Sequence, residues 1–203
     1  MPGRLFLTRP MAEVAAFLGV PRVPEDPPRA NMAPGQEVLT LTATGVQHMR
    51  WGLIPAGRKN ARGRPVLETI VNARSETLFE KSAFAGLHRA IVPADGWYEW
   101  TGAVRRKTPH AISPQDGGLL AFAAIYDIWR APGGRGVPQV ATVTCAPSED
   151  VRHIHDRMGL LLERKDFATW LSGPEAEASA LLRPWPAGRL NVRPAGDVDW
   201  SGP

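Results

Sequence analysis

Proline and glycine fall at such short intervals along this chain that no element of it can run long. The 203 residues carry 20 of each, spread as punctuation with neither a repeat nor a low-complexity block. Proline ends regular structure by removing a donor and glycine permits the tight turns between elements, so many short segments are expected and a helical bundle is excluded. Between the breaks, β-type runs recur at 38–42, 47–53, 89–92, 96–100, 119–129, 140–145 and 160–163. A helix is expected after Thr8 as its cap, with Pro10 in its first turn, Met11, Val14, Ala15 and Leu18 on one face, and Gly19 at its end. Further helices are expected at 75–87, 166–171 and 175–182, while the Pro-rich 21–34 and the stretch 184–203 read as irregular. The fold class that follows is α+β, a curled or barrel-like antiparallel sheet with helices packed outside it, in a single domain over 1–203.

Hydrophobic residues make up 43% of the chain, enough for an ordinary core, and no apolar stretch approaches the length that crosses a bilayer. The opening Met-Pro-Gly-Arg-Leu lacks the pattern of a secretion signal, which predicts a cytoplasmic protein with no membrane attachment. Cys145 is the single cysteine, so a disulfide framework and a multi-cysteine zinc site are both excluded. Twenty-four basic residues against 20 acidic ones leave a mild charge of +4. Its distribution is more informative: Arg50, Arg58, Lys59, Arg62 and Arg64 occur with no intervening acid, and Arg105, Arg106 and Lys107 form a second run. Two solvated loops and a phosphate-facing surface account for these runs equally well.

Three polar clusters interrupt apolar regions with residues that are costly to bury unless paired or working. In Asn72-Ala73-Arg74-Ser75-Glu76, an extended backbone would put Asn72, Arg74 and Glu76 on one face, presenting an amide and a guanidinium to a sugar and a phosphate; a helix cap with a surface ion pair is the plainer alternative. In Asp95-Gly96-Trp97-Tyr98-Glu99-Trp100, alternation sets Trp97 and Glu99 on one face and Tyr98 and Trp100 on the other, so the carboxyl sits among rings, either as a general acid or base or as a structural partner of an arginine. In His153-Ile154-His155-Asp156-Arg157-Met158, two histidines share a face if the segment is a strand, and Asp156 stands ready to orient an imidazole. Two imidazoles and one carboxylate make a poor metal site, and no metal or cofactor is expected.

These fragments, in this order and spacing, resemble the SOS response-associated peptidase family of abasic-site processing proteins. The resemblance runs through most of the chain: Gly3-Arg4, Asn31 with Ala33-Pro34-Gly35, Trp51-Gly52, Asn72-Ala73-Arg74 with Glu76, Ala94 to Trp97 with Glu99-Trp100, Ile154 to Met158, and Asn191-Val192. It implies a partner, single-stranded DNA containing abasic sites, bound by a monomer that associates with the nucleoid when on DNA. It also implies removal of Met1 and attack on the sugar aldehyde by the newly exposed residue. On that pattern Asn72 positions the amino terminus, while Glu99 and His155 move protons. Arg4, Asn31, Arg74 and Thr144 lie along the strand, Trp51 stacks on a base or walls the site, and Trp100 belongs to an aromatic platform. Two departures stand out: Pro2 occupies the position of the family's nucleophilic cysteine, and Gly159 occupies that of a proline, which should loosen the strand after His155. Cys145, inside an apolar run, reads as a small core residue and no substitute for the missing thiol. A non-covalent DNA-binding module, a peptidase and a metal-dependent hydrolase are the competing functions. No Gly-x-Ser-x-Gly elbow supports the peptidase, and Ser148 near His153 is an isolated pair.

Overall fold

In the computed structural model, which describes residues 2–55, 62, 68–81, 84–103 and 106–202, the punctuated runs become short strands. Along the chain come β1 (Leu5–Leu7), α1 (Met11–Leu18), β2 (Arg29–Met32), β3 (Glu37–Thr42) and β4 (Gly45–Trp51). Then follow β5 (Asn72–Arg74), β6 (His88–Ala94), β7 (Gly96–Thr101), β8 (Thr108–Pro114), β9 (Leu120–Arg130) and β10 (Gly136–Cys145). The last elements are β11 (Met158–Gly159), α2 (Phe167–Ser172), α3 (Glu175–Ser179) and β12 (Leu190–Pro194).

Five strands close into a barrel in the order β10-β4-β3-β6-β9, with β9 pairing back onto β10. Closure removes free strand edges, and it is made by one parallel contact, Gln139 beside Arg50 and Val140 beside Trp51, in an otherwise antiparallel ring. Leu120 to Ile125 of β9 are buried without alternation. That pattern requires cover on both faces: Trp97 meets Phe122 edge-on at 5.7 Å, and the Leu161 backbone bridges to Phe122. Trp170 of α2, fully buried, seals the β6 side by donating its indole N–H to the Ala90 carbonyl at 2.8 Å.

The second sheet, β12-β8-β7-β1-β2, is antiparallel throughout and joined to the barrel at one corner. β6 ends at Ala94 in the barrel and β7 begins at Gly96 in the second sheet, so Asp95 alone makes the turn. Its amide donates to the Phe6 carbonyl at 2.8 Å, and its Oδ2 accepts both the Thr8 amide and the Thr8 hydroxyl at 2.7 Å. Gly96 is needed there because a Cβ would run into the Ile112 carbonyl oxygen and the Phe6 ring.

The α+β barrel-like expectation holds, with strands far outnumbering helices. α1 has the expected buried face and closes on Gly19 at φ 70°, but Thr8 does not cap it. The Pro10 carbonyl accepts the first helical amides, and Thr8 is spent on Asp95. The helix expected at 75–87 is replaced by a single 3-10 turn at Ser75–Thr77 and further turns among the described residues. The expected strand at 160–163 reduces to Met158–Gly159 with a bridge at Leu161, and the supposedly irregular 184–203 contributes β12 at the sheet edge.

Replacing Gly96 with alanine should cost about 2–3 kcal/mol, the scale of forced overpacking, seen as a lower urea midpoint with an unchanged slope.

Candidate functional site

The candidate site forms where β10 outruns the barrel. Up to Thr142 the strand pairs with β9, and beyond it with β11, where Thr144 faces Gly159 and Cys145 faces Met158. On its other edge it leaves β4 after Val140 and takes up β5 in parallel, with Thr142 beside Asn72 and Thr144 beside Arg74. Asn72 therefore stands on a three-residue strand that β10 alone places.

From there Asn72 reaches the amino terminus. Its Nδ2 donates to the Pro2 carbonyl at 2.8 Å, and its Oδ1 accepts the Thr142 hydroxyl at 2.6 Å. Thr142 has no exposed surface. Because the Pro2 carbonyl can only accept, the amide has one orientation, with the NH2 group toward residue 2 and Oδ1 left to accept from Thr142. Pro2 is buried, and its ring lies over the backbone of β11, with Cγ 3.5 Å from where a Cβ on Gly159 would sit. The expected loosening at Gly159 is not observed. The residue keeps its place opposite Thr144, and the Phe122 ring fills the space of a side chain.

Glu99 enters from the second sheet. Leu5 faces Trp97, and the Tyr98 amide donates to the Arg4 carbonyl at 2.9 Å, so the same register brings Gly3 level with Glu99. Glu99 is 7% exposed and engaged within the protein. Asn72 and Glu99 thus approach the first three residues from two different sheets.

His155 is not on a strand, so the expectation that His153 and His155 share a strand face is corrected. It ends a turn in which its amide donates to the Val151 carbonyl at 3.1 Å, and His153 is exposed on that turn. Its Nδ1 accepts the Arg157 amide at 3.0 Å and lies 2.7 Å from Oδ1 of the exposed Asp156. Arg157 fastens this turn to the fork in β10. Its guanidinium pairs with both carboxylate oxygens of Glu76, and donates to the Thr144 carbonyl at 2.8 Å and hydroxyl at 3.2 Å. The Arg157 guanidinium holds the Glu76 carboxyl down at about 2. Glu76 does not share a face with Asn72 and Arg74, because the strand gives way to the 3-10 turn at Ser75.

Several residues expected along a bound strand have partners within the protein. Trp51 is completely buried with its indole N–H on the Val71 carbonyl at 3.3 Å. Asn31 is 1% exposed; its Oδ1 accepts from Arg4 at 3.1 Å, and its Nδ2 donates to the carbonyls of Asp199 and Gly202. Thr144 is buried and its hydroxyl donates to the Ala73 carbonyl at 3.3 Å. Trp100 lies on the opposite face of β7 from Glu99, where Trp200 packs against it at 5.3 Å and against Tyr98 at 4.9 Å. Arg74 is exposed beside the fork. Of the basic runs, Arg50 donates to the Gly52 carbonyl, Arg62 is engaged within the protein, Arg106 and Lys107 are exposed, and Arg58, Lys59, Arg64 and Arg105 lie outside the described residues.

Cys145 is no alternative nucleophile: burial pushes its thiol up to about 12. Ser148 is buried with its Oγ accepting the Asp150 amide, which caps a turn rather than arming a hydroxyl. Among the described residues no three His, Cys, Asp or Glu side chains gather as a metal site, and no helix is long and apolar enough to cross a membrane. Thr142 is the contributor that sequence patterns missed, since a threonine inside a β-branched run reads only as a strand former.

Comparison with known proteins extends these observations. The profile of the family described as SOS response associated peptidase (SRAP) matches residues 1–198. The abasic site processing protein YoqW of Bacillus subtilis is 34% identical over 171 residues, covering 79% of this chain and 75% of that protein. YedK of Escherichia coli, another abasic site processing protein, is 33% identical over 189 residues, covering 86% and 80%. A crystal structure of a Bacteroides thetaiotaomicron protein shares the fold with a TM-score of 0.81 at 23% identity, over 96% of this chain and 92% of that one.

Two outcomes are expected. Thr142→Val strands the Asn72 oxygen and should lower stability by about 1–2 kcal/mol, with faster amide exchange at Gly3 and Arg4. Glu76, depressed from 4.5 to about 2, supplies stability that is complete above its ordinary value and lost as pH falls toward the folded one. Glu76→Gln should therefore flatten the dependence of the urea midpoint on pH between about 4.5 and 2. The difference stays within about 1 kcal/mol because the carboxylate is half exposed.

Proposed function

The chain belongs to the SOS response associated peptidase family, and from that membership we propose that it processes abasic sites in single-stranded DNA through the amino-terminal residue that Asn72 holds. The observation that carries the proposal is this clamp. A chain terminus is ordinarily frayed, yet here the carbonyl of residue 2 is bonded by an amide whose oxygen is in turn bonded by the buried Thr142 hydroxyl. Such preorganisation suits a reacting group and has no evident use for a loose tail.

Once Met1 is removed, Pro2 offers a secondary amine. An abasic sugar is mostly a closed hemiacetal, so an acid must protonate the ring oxygen while a base takes the hydroxyl proton at C1′. Glu99 and His155 are the groups assigned to these transfers. The amine then adds to the aldehyde carbon, the C1′ oxygen departs as water, and a charged iminium is left. Loss of a C2′ proton sends its electron pair toward the iminium and expels the 3′ phosphate with the C3′–O bonding pair. A proline cannot close the thiazolidine that a cysteine would form, so its adduct is transient. Exposed Arg74 is placed to meet backbone phosphate without reading sequence.

Borohydride trapping on single-stranded abasic oligonucleotide, read by intact mass, tests this. A reducible adduct on protein lacking Met1 is expected, slowed about 10²–10⁴-fold by Glu99→Gln or His155→Ala, the usual worth of a positioned acid or base. Pro2→Cys should give an adduct that survives without borohydride. No adduct from processed protein, together with salt-dependent binding that ignores the lesion, would favour a non-covalent strand-binding module.

A further inference from the structure

The surroundings of His155 set two incompatible contacts on one ring nitrogen. Its Nδ1 faces the Arg157 amide at 3.0 Å and the Asp156 carboxylate at 2.7 Å. An N–H donor requires a lone pair on Nδ1, whereas a carboxylate requires a proton there, so the two contacts cannot both be hydrogen bonds of one tautomer. Asp156 is 88% exposed and its side chain can turn to water. The Arg157 amide cannot turn, because that residue is fixed by its side chain.

We infer that Glu76 and Arg157 are positioning residues that set the tautomer of His155, holding Nδ1 as the acceptor so that Nε2 carries the proton. Three features support the assignment. The Arg157 guanidinium is paired with both oxygens of Glu76 and with both oxygens of Thr144, a fixed fork that leaves the backbone of Arg157 little freedom. The guanidinium side of the pair is sheltered, with 16% of the Arg157 side chain exposed. The anchor points are the same two elements that build the Asn72 clamp: Glu76 on the turn that ends β5, and Thr144 on β10. One fork therefore fixes both the place of the amino terminus and the nitrogen of His155 that is free to meet a ligand. Nε2–H is a donor, suited to the ring or aldehyde oxygen of a sugar, and this functional half rests on the abasic-site assignment while the tautomer itself does not.

Imidazole ¹⁵N spectra of the full chain at a pH where histidine is neutral provide the test. Wild type is expected to show His155 with a pyridine-type Nδ1 and a protonated Nε2. Asp156→Asn should keep that pattern, since it removes only the competing acceptor. Glu76→Gln should move both nitrogens toward averaged positions, and Glu76→Asp should restore much of the difference. A protonated Nδ1 in wild type, or an unchanged spectrum in folded Glu76→Gln, would overturn the inference. In the borohydride assay, Glu76→Gln should lower the trapping rate about tenfold, a part of the roughly 10²–10⁴ a positioned group supplies, and shift its pH profile. If wild type traps no adduct, the abasic-site assignment fails, and the spectra still decide the tautomer.

Discussion

The arrangement depends on one strand having more length than the barrel can pair. β10 closes the ring through its earlier residues, paired with β4 only to Val140 and with β9 to Thr142, and what lies beyond on each edge is left to find new neighbours. Backbone amides and carbonyls in a buried strand must be satisfied, so the surplus recruits β5 on one edge and β11 on the other. Those two fragments have three and two residues and could not persist alone. Their positions, and hence those of Asn72 and of the turn bearing His155, are set by hydrogen bonds to a strand that belongs to the barrel. Threonine suits this stretch twice over: its branched side chain favours the strand, and its hydroxyl supplies the donor that an interior otherwise lacks.

What the sequence discloses and what it hides follow from how local the relevant energies are. Runs such as 119–129 and 140–145 are legible because burial on both faces demands continuous apolar residues. α1 is legible because its buried stripe and its left-handed Gly19 are local features. β5 and β11 have no signal of their own, since a partner nearly 70 residues away in sequence creates β5. β8 and β12 were hidden by their prolines; Pro194 is tolerated because β12 runs along the edge of its sheet, and Pro109 and Pro114 lie near the two ends of β8. The helix pattern at 75–87 yields to tertiary structure: with Glu76 bound to Arg157 and β5 paired to β10, the chain from Ser75 forms a 3-10 turn in place of an α-helix.

Polar and aromatic residues in a motif look alike whether they face a ligand or the interior, which is why the expected strand-contacting set divides. Asn31 and Trp51 each have their hydrogen-bonding capacity committed internally, the first to the C-terminal segment and to Arg4, the second to the Val71 carbonyl. Trp100 is covered by Trp200, a residue no local pattern could have brought to β7. Asn72 and Glu99 stand out in the sequence for a different reason. Each is a polar residue beside apolar or aromatic neighbours, Ile70 and Val71 for the first and Trp97 and Trp100 for the second, and burying such a group is costly unless something specific answers it.

The proline at position 2 is compatible with all of this geometry because the clamp does not use the side chain. Asn72 bonds the carbonyl of residue 2, an atom every amino acid provides. The proline ring lies at ordinary contact with β11, its Cγ 3.5 Å from where a Cβ on Gly159 would sit, while the Phe122 ring fills that Cβ position. The scaffold therefore holds residue 2 through an atom that does not depend on its side chain, and the contacts of Asn72 with Thr142 and of β5 with β10 place no demand on which residue stands there.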